Sequence, residues 1–312
     1  MRKFIINSVV FLFFSVSFYC IALFLWGSIA PASLKPNLNY RMGSYGHMFS
    51  RLSEAKNTSD VDVLFLGSSH AYRGFDTRQF SKHNLKTFNL GSSAQTPKQT
   101  NVLINRYLEK LNPKLVIYEV YPETFMLDGI ESSLDIIAND ENDIHSFKMA
   151  LNHNHIKVYN TFFYGTMRNL FNLNQSFIEP ANKEDDTYIS GGFVEKKINY
   201  FKPIAFKNKK ITFNEDQLEE FSKIVLKLKN ENYKVVLVYA PITPSNYSSY
   251  TNTSYFDSIM RTYSEYYNFN KLIRLEDSLH FYDKDHMNKN GVNLFNEKLI
   301  EVLAKDNVIH HK

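Results

Sequence analysis

A serine that closes a buried strand, and an aspartate and a histidine three residues apart near the other end of the chain, are the residues here that could do chemistry. Ser69 stands in Gly67-Ser68-Ser69-His70, and Asp283 and His286 stand in Asp283-Lys284-Asp285-His286. A serine hydroxyl is a weak nucleophile at neutral pH. It needs a base within hydrogen-bond reach, and the base needs an orienting group. On a turn, the three-residue spacing lets the Asp283 carboxylate meet the His286 imidazole, fix its tautomer and stabilise the imidazolium. Asp285 is the rival orienter. In an extended segment its side chain would point away from the adjacent His286, so Asp283 is preferred. Ser69 follows a tight turn and opens a helix, whose N-terminus favours a developing oxyanion.

The elements that must position these residues are legible as strand–helix alternation. Val61-Asp62-Val63-Leu64-Phe65-Leu66 reads as a buried strand running into Gly67. A continuous apolar strand ending in a small-residue turn marks a parallel α/β sheet. Further strands are expected at Thr87–Leu90, before Gly91-Ser92-Ser93, at Leu115–Val120, before Tyr121-Pro122, at Val235–Ala240, before Pro241, and at Leu272–Leu275. Helices are expected from Pro97, over about 215–232 with Asn214 or Thr212 as cap, over about 254–268, and from Asn290-Gly291 to about Leu303. Residues 123–214 lack the alternation and read as a mainly helical insertion. The order implies a doubly wound, flavodoxin-like parallel α/β sheet with helices on both faces. Ligands of such sheets bind at the carboxyl ends of the strands. Five polar or turn segments, among them 67–70, 91–93 and 283–286, would share that rim.

The run Leu64-Phe65-Leu66-Gly67-Ser68-Ser69-His70, the Gly91 turn and the late Asp283-x-x-His286 resemble the first, second and fifth blocks of the SGNH (GDSL-like) hydrolase superfamily. The resemblance covers about residues 61–122 and 233–304. It is nearest to the membrane-anchored branch, similar to proteins of alginate and peptidoglycan O-acetylation and teichoic-acid D-alanylation. It implies Ser69 as nucleophile, His286 as base, Asp283 as orienter, and the backbone amides of Ser69 and Gly91 as oxyanion donors. The superfamily's third block supplies an Asn to the oxyanion hole. Here that place reads Tyr118-Glu119-Val120-Tyr121-Pro122-Glu123 and has no Asn. Asn89, Gln95 and Arg73 are the candidates to replace it. His70, Arg73, Asn89 and Glu119 are candidates for substrate contact or for support of the site. His70 could equally be a polar helix start, Arg73 could pair with Asp76, and Glu119 could face the rim or cap a helix.

From Phe4 to Ala30 no residue is charged, a run of roughly 27 residues that is long enough to span a bilayer and longer than the apolar part of a cleavable signal. Trp26 would sit at the outer interface, and Arg2 and Lys3 favour a cytoplasmic N-terminus. The expected organisation is therefore an anchor at 1–30, a linker at 31–60, the α/β domain at 61–304 with its insertion, and a tail at 305–312. Deleting residues 1–30 is expected to give a soluble protein. The one cysteine, Cys20, lies in the apolar run, so no intramolecular disulfide forms.

Net charge is +4, Arg2 and Lys3 included, too small an excess to argue for nucleic-acid binding. The lysines at 207, 209 and 210 read as a solvated loop. His153-x-His155 lacks a third ligand, so no metal is expected. No phosphate loop or dinucleotide fingerprint is present, and no cofactor is expected. Serine-dependent acyl transfer or ester hydrolysis on a cell-envelope polysaccharide follows, with a polytopic membrane acyltransferase as a candidate partner. The competing reading is a non-catalytic subunit of such an acyltransferase complex.

Overall fold

The computed structural model describes residues 1–309. Along the chain the elements are α1 (Arg2–Ile29), α2 (Met48–Ala55), β1 (Val63–Leu66), α3 (Ser69–Gly74), α4 (Thr77–Ser81), β2 (Thr87–Asn89), α5 (Pro97–Leu111), β3 (Leu115–Glu119), α6 (Ile130–Asn139), α7 (Ile144–His153) and α8 (Ile156–Leu170). There follow β4 (Asn182–Lys183), β5 (Asp186–Ile189), β6 (Phe193–Lys196), α9 (Glu215–Asn230), β7 (Lys234–Tyr239), α10 (Pro244–Ser249), α11 (Thr253–Tyr263), β8 (Glu265–Asn268), α12 (Phe269–Leu272), α13 (Asp277–His280) and α14 (Lys289–Lys305). They form two compact units. One is Met1–Met42 with Ser133–Ile178, and the other is Gly43–Ser132 with Glu179–Lys312.

The second unit is a parallel five-stranded sheet in the order β2-β1-β3-β7-β8. The first, third and fourth of these strands in sequence are buried on both faces, which is why they read as continuous apolar runs. Val63, Phe65, Leu115, Ile117, Val236 and Val238 face one layer, where Phe65 stacks on Phe75 at 4.6 Å and Phe75 meets Phe295 of α14 at 5.5 Å. On the other face Tyr118 packs on Phe221 of α9, and Tyr239 on Phe256 of α11. The strand order reverses direction between β1 and β3. The crevice at their carboxyl ends is the place where doubly wound sheets bind ligands.

Local sequence sets the helix ends. Thr96 and Gln99 form a capping box with Pro97 at the first turn of α5, and Asn112 closes it in the left-handed region. Asn214 caps α9, with Glu215 and Asp216 in the first turn and Lys227 and Lys229 in the last, matching the helix dipole. Asn288 caps α14 by accepting two backbone N–H bonds.

Several expectations are corrected. Residues 43–60 are not a linker. Met48, Leu52 and Ala55 are buried, and so is Arg51, whose guanidinium donates to the carbonyls of Gly46, Gly91 and Gly192 at 2.7–2.9 Å. The insertion is not mainly helical throughout, because β4, β5 and β6 form a three-stranded antiparallel sheet. The last strand of the main sheet is β8, not Leu272–Leu275, and the preceding helix ends at Tyr263. Its Glu-Tyr-Tyr-Asn sequence is polar because an edge strand needs to bury only alternate residues, here Tyr266 and Asn268. Leu275 instead fills the core from a loop. In the expected tail, Val308 and Ile309 are buried in the same core, while His310, His311 and Lys312 lie outside the described residues.

The first unit joins α1 to α7 and α8. α1 is 28 residues long with a mean hydropathy of 2.4 over its most apolar window, enough by length and composition to cross a membrane.

Candidate active site

The Gly67 turn brings Ser69 to the end of β1. Gly67 has φ 137°, a conformation open to glycine, and a Cβ there would lie 2.6 Å from Glu119 Oε2. Ser68 caps α3 by accepting the His70 N–H, and Ser69 is the first helical residue. At that position the backbone N–H has no intrahelical acceptor.

His286 arrives from the other end of the chain. The segment 282–286 is closed by the Tyr282 N–H donating to the His286 carbonyl at 3.1 Å. Thr243, beyond the end of β7, donates to the Lys284 carbonyl at 2.5 Å. The loop is therefore tied from two sides. His286 Nε2 lies 2.7 Å from Ser69 Oγ. His286 Nδ1 lies 2.9 Å from Asp283 Oδ2 and 3.0 Å from Asp285 Oδ1. The structure thus brings Ser69, His286 and Asp283 together, and it corrects the expectation about Asp285. The segment turns instead of extending, because Asp283 Oδ1 accepts the backbone N–H groups of Asp285 and His286 at 2.9 and 2.7 Å. That folds the Asp285 side chain back onto the imidazole. Asp285 is also the more buried carboxylate, and Tyr121 donates its hydroxyl to Oδ2 at 3.3 Å.

Burial alone would lower the His286 pKa, but its bonds to Asp283 and Asp285 outweigh that and raise it to about 10. Burial likewise pushes the Asp285 carboxyl up, and the imidazole beside it holds it well below the usual range. The ring of His286 is sandwiched. Tyr282 stacks on it at 5.6 Å and His70 at 4.7 Å. His70 is buried and held neutral, its pKa lowered to about 4 by burial and by the charge of His286.

Beneath the turn is a polar chain. Glu119 Oε2 accepts both the N–H and the hydroxyl of Ser68 at 2.9 Å, and Ser68 Oγ lies 3.1 Å from His70 Nδ1. Burial raises the Glu119 pKa to about 7. Glu119 therefore neither faces solvent at the rim nor pairs with a cation. It fastens the end of β3 to the turn that carries Ser69.

The remaining candidates are otherwise engaged. The Gly91 N–H donates to Asn89 Oδ1 at 2.9 Å, so in this structure it is not a free donor. Asn89 Nδ2 donates to the Ala71 carbonyl, and Gln95 Nε2 to Thr100. Arg73 makes a bidentate pair with Asp186 at 2.9 and 2.7 Å, whereas Asp76 pairs with Arg78. His70 is too buried to touch substrate. The Ser69 N–H, with no intrahelical acceptor, is the backbone donor placed for an oxyanion.

Sequence reasoning missed Ser68, Tyr121 and Tyr282. Tyr121 had a signal, since it lies two residues past the end of β3, on the rim. His70, Asp285 and His286 place ligand atoms within 4.8 Å of one another, which could hold a metal. Both nitrogens of His286 are already bonded, to Ser69 and to the carboxylates, so a metal would have to break that arrangement.

No family model matches the chain, and no curated protein is significantly similar to it. Solved structures show distant likenesses. A GDSL-like lipase from Bacteroides thetaiotaomicron is 10% identical, with 84% of this chain and 98% of that one covered and a TM-score of 0.44. A putative acylhydrolase from Bacteroides fragilis is 11% identical, with 82% and 94% covered and a TM-score of 0.42. An acetyl xylan esterase is 13% identical, with 77% and 98% covered and a TM-score of 0.39.

Proposed function

We propose that the chain is a membrane-anchored serine esterase or O-acyltransferase working through an acyl-Ser69 intermediate. The observation that carries this is the 2.7 Å approach of His286 Nε2 to Ser69 Oγ, with Nδ1 held by two carboxylates. His286 takes the Ser69 proton as Oγ bonds to the ester carbonyl carbon and the carbonyl π pair moves onto oxygen. The Ser69 N–H receives that oxyanion. Collapse expels the alcohol, which takes the proton from His286. Water or an acceptor hydroxyl then attacks the acyl-serine with His286 again as base, the acyl–Oγ bond breaks, and Ser69 Oγ takes the proton back from His286. Asp283 and Asp285 hold the Nδ1–H tautomer. The acceptor we assign is a cell-envelope polysaccharide, because Arg2 and Lys3 before the apolar helix favour export of everything beyond it. A polytopic membrane acyltransferase is the partner this placement suits.

The test uses the detergent-solubilised full-length chain. A fluorophosphonate should label it and a short nitrophenyl ester should be hydrolysed, and both should vanish in Ser69→Ala. Labelling without turnover favours transfer over hydrolysis. Absence of both in a folded wild-type chain would sink the proposal.

The internal hydrogen bonds of Gly91, Asn89, Gln95 and Arg73 favour one competitor, a non-catalytic subunit of an acyltransferase complex. It predicts that Ser69→Ala leaves polymer acylation in cells intact.

A further inference from the structure

In α1 every residue from Met1 to Phe14 is exposed, and partial cover begins only at Ser15. The bare apolar part, residues 4–14, is about 16 Å long at 1.5 Å per residue, about half of a hydrocarbon layer of ~30 Å. Beyond it α8 lies against the helix. Tyr19 donates to Asn160 at 2.8 Å, Phe24 packs on Tyr164 and Phe171, and Ser28 meets the Tyr164 hydroxyl at 3.4 Å. Gly27 admits the Tyr164 ring, since a Cβ there would sit 2.7 Å from it. α1 can cross a bilayer only if the stretch covered by α8 is also inside it.

We propose that the α7–α8 hairpin is a second membrane-embedded element, lying among the lipids of the leaflet away from the N-terminus. This rests on the anchor of the preceding section. With Phe4 at one edge of the hydrocarbon, Tyr19 and its partner Asn160 lie about 8 Å inside the other edge, the depth at which interfacial helices sit. α8 runs in the direction of α1, from Asn160 beside Tyr19 to Tyr164 beside Phe24 and Ser28. Its start, Ile156, therefore lies deeper still.

Two independent features fit a lipid surface. Ile144, Phe147, Leu151 and Ile156 are exposed, the first three at helical spacing on one face of α7. From Ile144 to Ile178 there is no Asp or Glu, only the cations Lys148, Lys157 and Arg168. Apolar and aromatic side chains with basic residues and no carboxylate are the composition that binds anionic lipid headgroups. The polar tip supplies partners internally. Ser133 Oγ pairs with His153 Nε2 at 2.7 Å, and Tyr159 donates to Asn154 at 3.0 Å.

The full-length Cys20→Ser chain, carrying single cysteines at Phe13, Leu151, Ile156 or Leu226 labelled with an environment-sensitive fluorophore, tests this in vesicles of phosphatidylethanolamine and phosphatidylglycerol with spin-labelled acyl chains. Labels at 13, 151 and 156 should shift to the blue and lose emission to the quencher, and the label at exposed Leu226 of α9 should not. Quenching at 13 with water-like emission at 151 and 156 would overturn the hairpin and leave the anchor. Water-like emission at 13 would overturn both. Either result leaves the fluorophosphonate reaction of Ser69 untouched, so failure here is distinguishable from failure of the serine chemistry.

Discussion

Asp283→Asn and Asp285→Asn, singly and together, give the most demanding test of the site. Each carboxylate oxygen lies about 3 Å from His286 Nδ1, at 2.9 and 3.0 Å. An opposite charge within ~4–6 Å moves a pKa by about 1–3 units. His286 is raised to about 10 with both present. Removing either charge should bring it down by about 1–3 units, each unit being about 1.36 kcal/mol of preference for the imidazolium. The base form gains with rising pH, so kcat/KM of the wild type should climb with pH up to about 10. Each single variant should shift that limb to lower pH by about 1–3 units, with a plateau loss under about tenfold, because the other carboxylate still holds the tautomer. The double variant loses both charges and can turn an amide N–H toward Nδ1, so it should fall by about 10⁴, the cost of the wrong tautomer in a serine triad. Asn at 283 keeps an oxygen for the two backbone N–H groups, so the turn survives. The assay is the pH profile of nitrophenyl acetate hydrolysis by the four full-length chains, with near-ultraviolet circular dichroism as the check on folding. A full ~10⁴ loss in either single variant, or an unmoved limb in both, would refute the sharing of Nδ1.

Further outcomes follow from the buried polar groups. Glu119 has a native pKa of about 7 against an ordinary 4.5, so the native state keeps a proton that the unfolded chain releases. Its contribution makes stability fall as pH rises from 4.5 to 7, by about 3 kcal/mol in all. His70, lowered to about 4, works in the opposite direction by losing stability as pH falls below 6.5. The readout is therefore the difference between wild type and Glu119→Gln in urea midpoint from pH 5 to 8, which should narrow or reverse in favour of Gln as pH rises. A constant difference would count against a buried, protonated Glu119. Arg51→Lys should cost about 2–5 kcal/mol in urea unfolding, because one ammonium cannot serve three buried carbonyls that the guanidinium fork now satisfies. A change under ~0.5 kcal/mol, the size of an ordinary surface substitution, would show that Arg51 is not needed there.

The strands β1, β3 and β7, the helix starts at Pro97 and Asn214, and the pairing of Asp283 with His286 were all legible in the sequence, because each depends on residues within a few positions. A run buried on both faces is apolar throughout, and an i,i+3 pair meets on any tight turn. Edge strand β8 was not legible, since its polar sequence is explained only by the neighbour it pairs with. The second carboxylate on His286 depends on which way the 283–286 turn folds, and Tyr121 and Thr243, from two other strand ends, help to fix it. Glu119 looked like a charge in an apolar strand, and only its bond to Ser68, 51 residues away, explains why it is there. The apolar N-terminal run was plain from composition. That a stretch near residue 160 covers half of it was not, because complementary surfaces between helices leave no local periodicity. The sequence determined which residues could act and where each strand would deliver them. The tertiary structure decided what each one touches, because contacts across a fold join residues whose spacing along the chain carries no constraint.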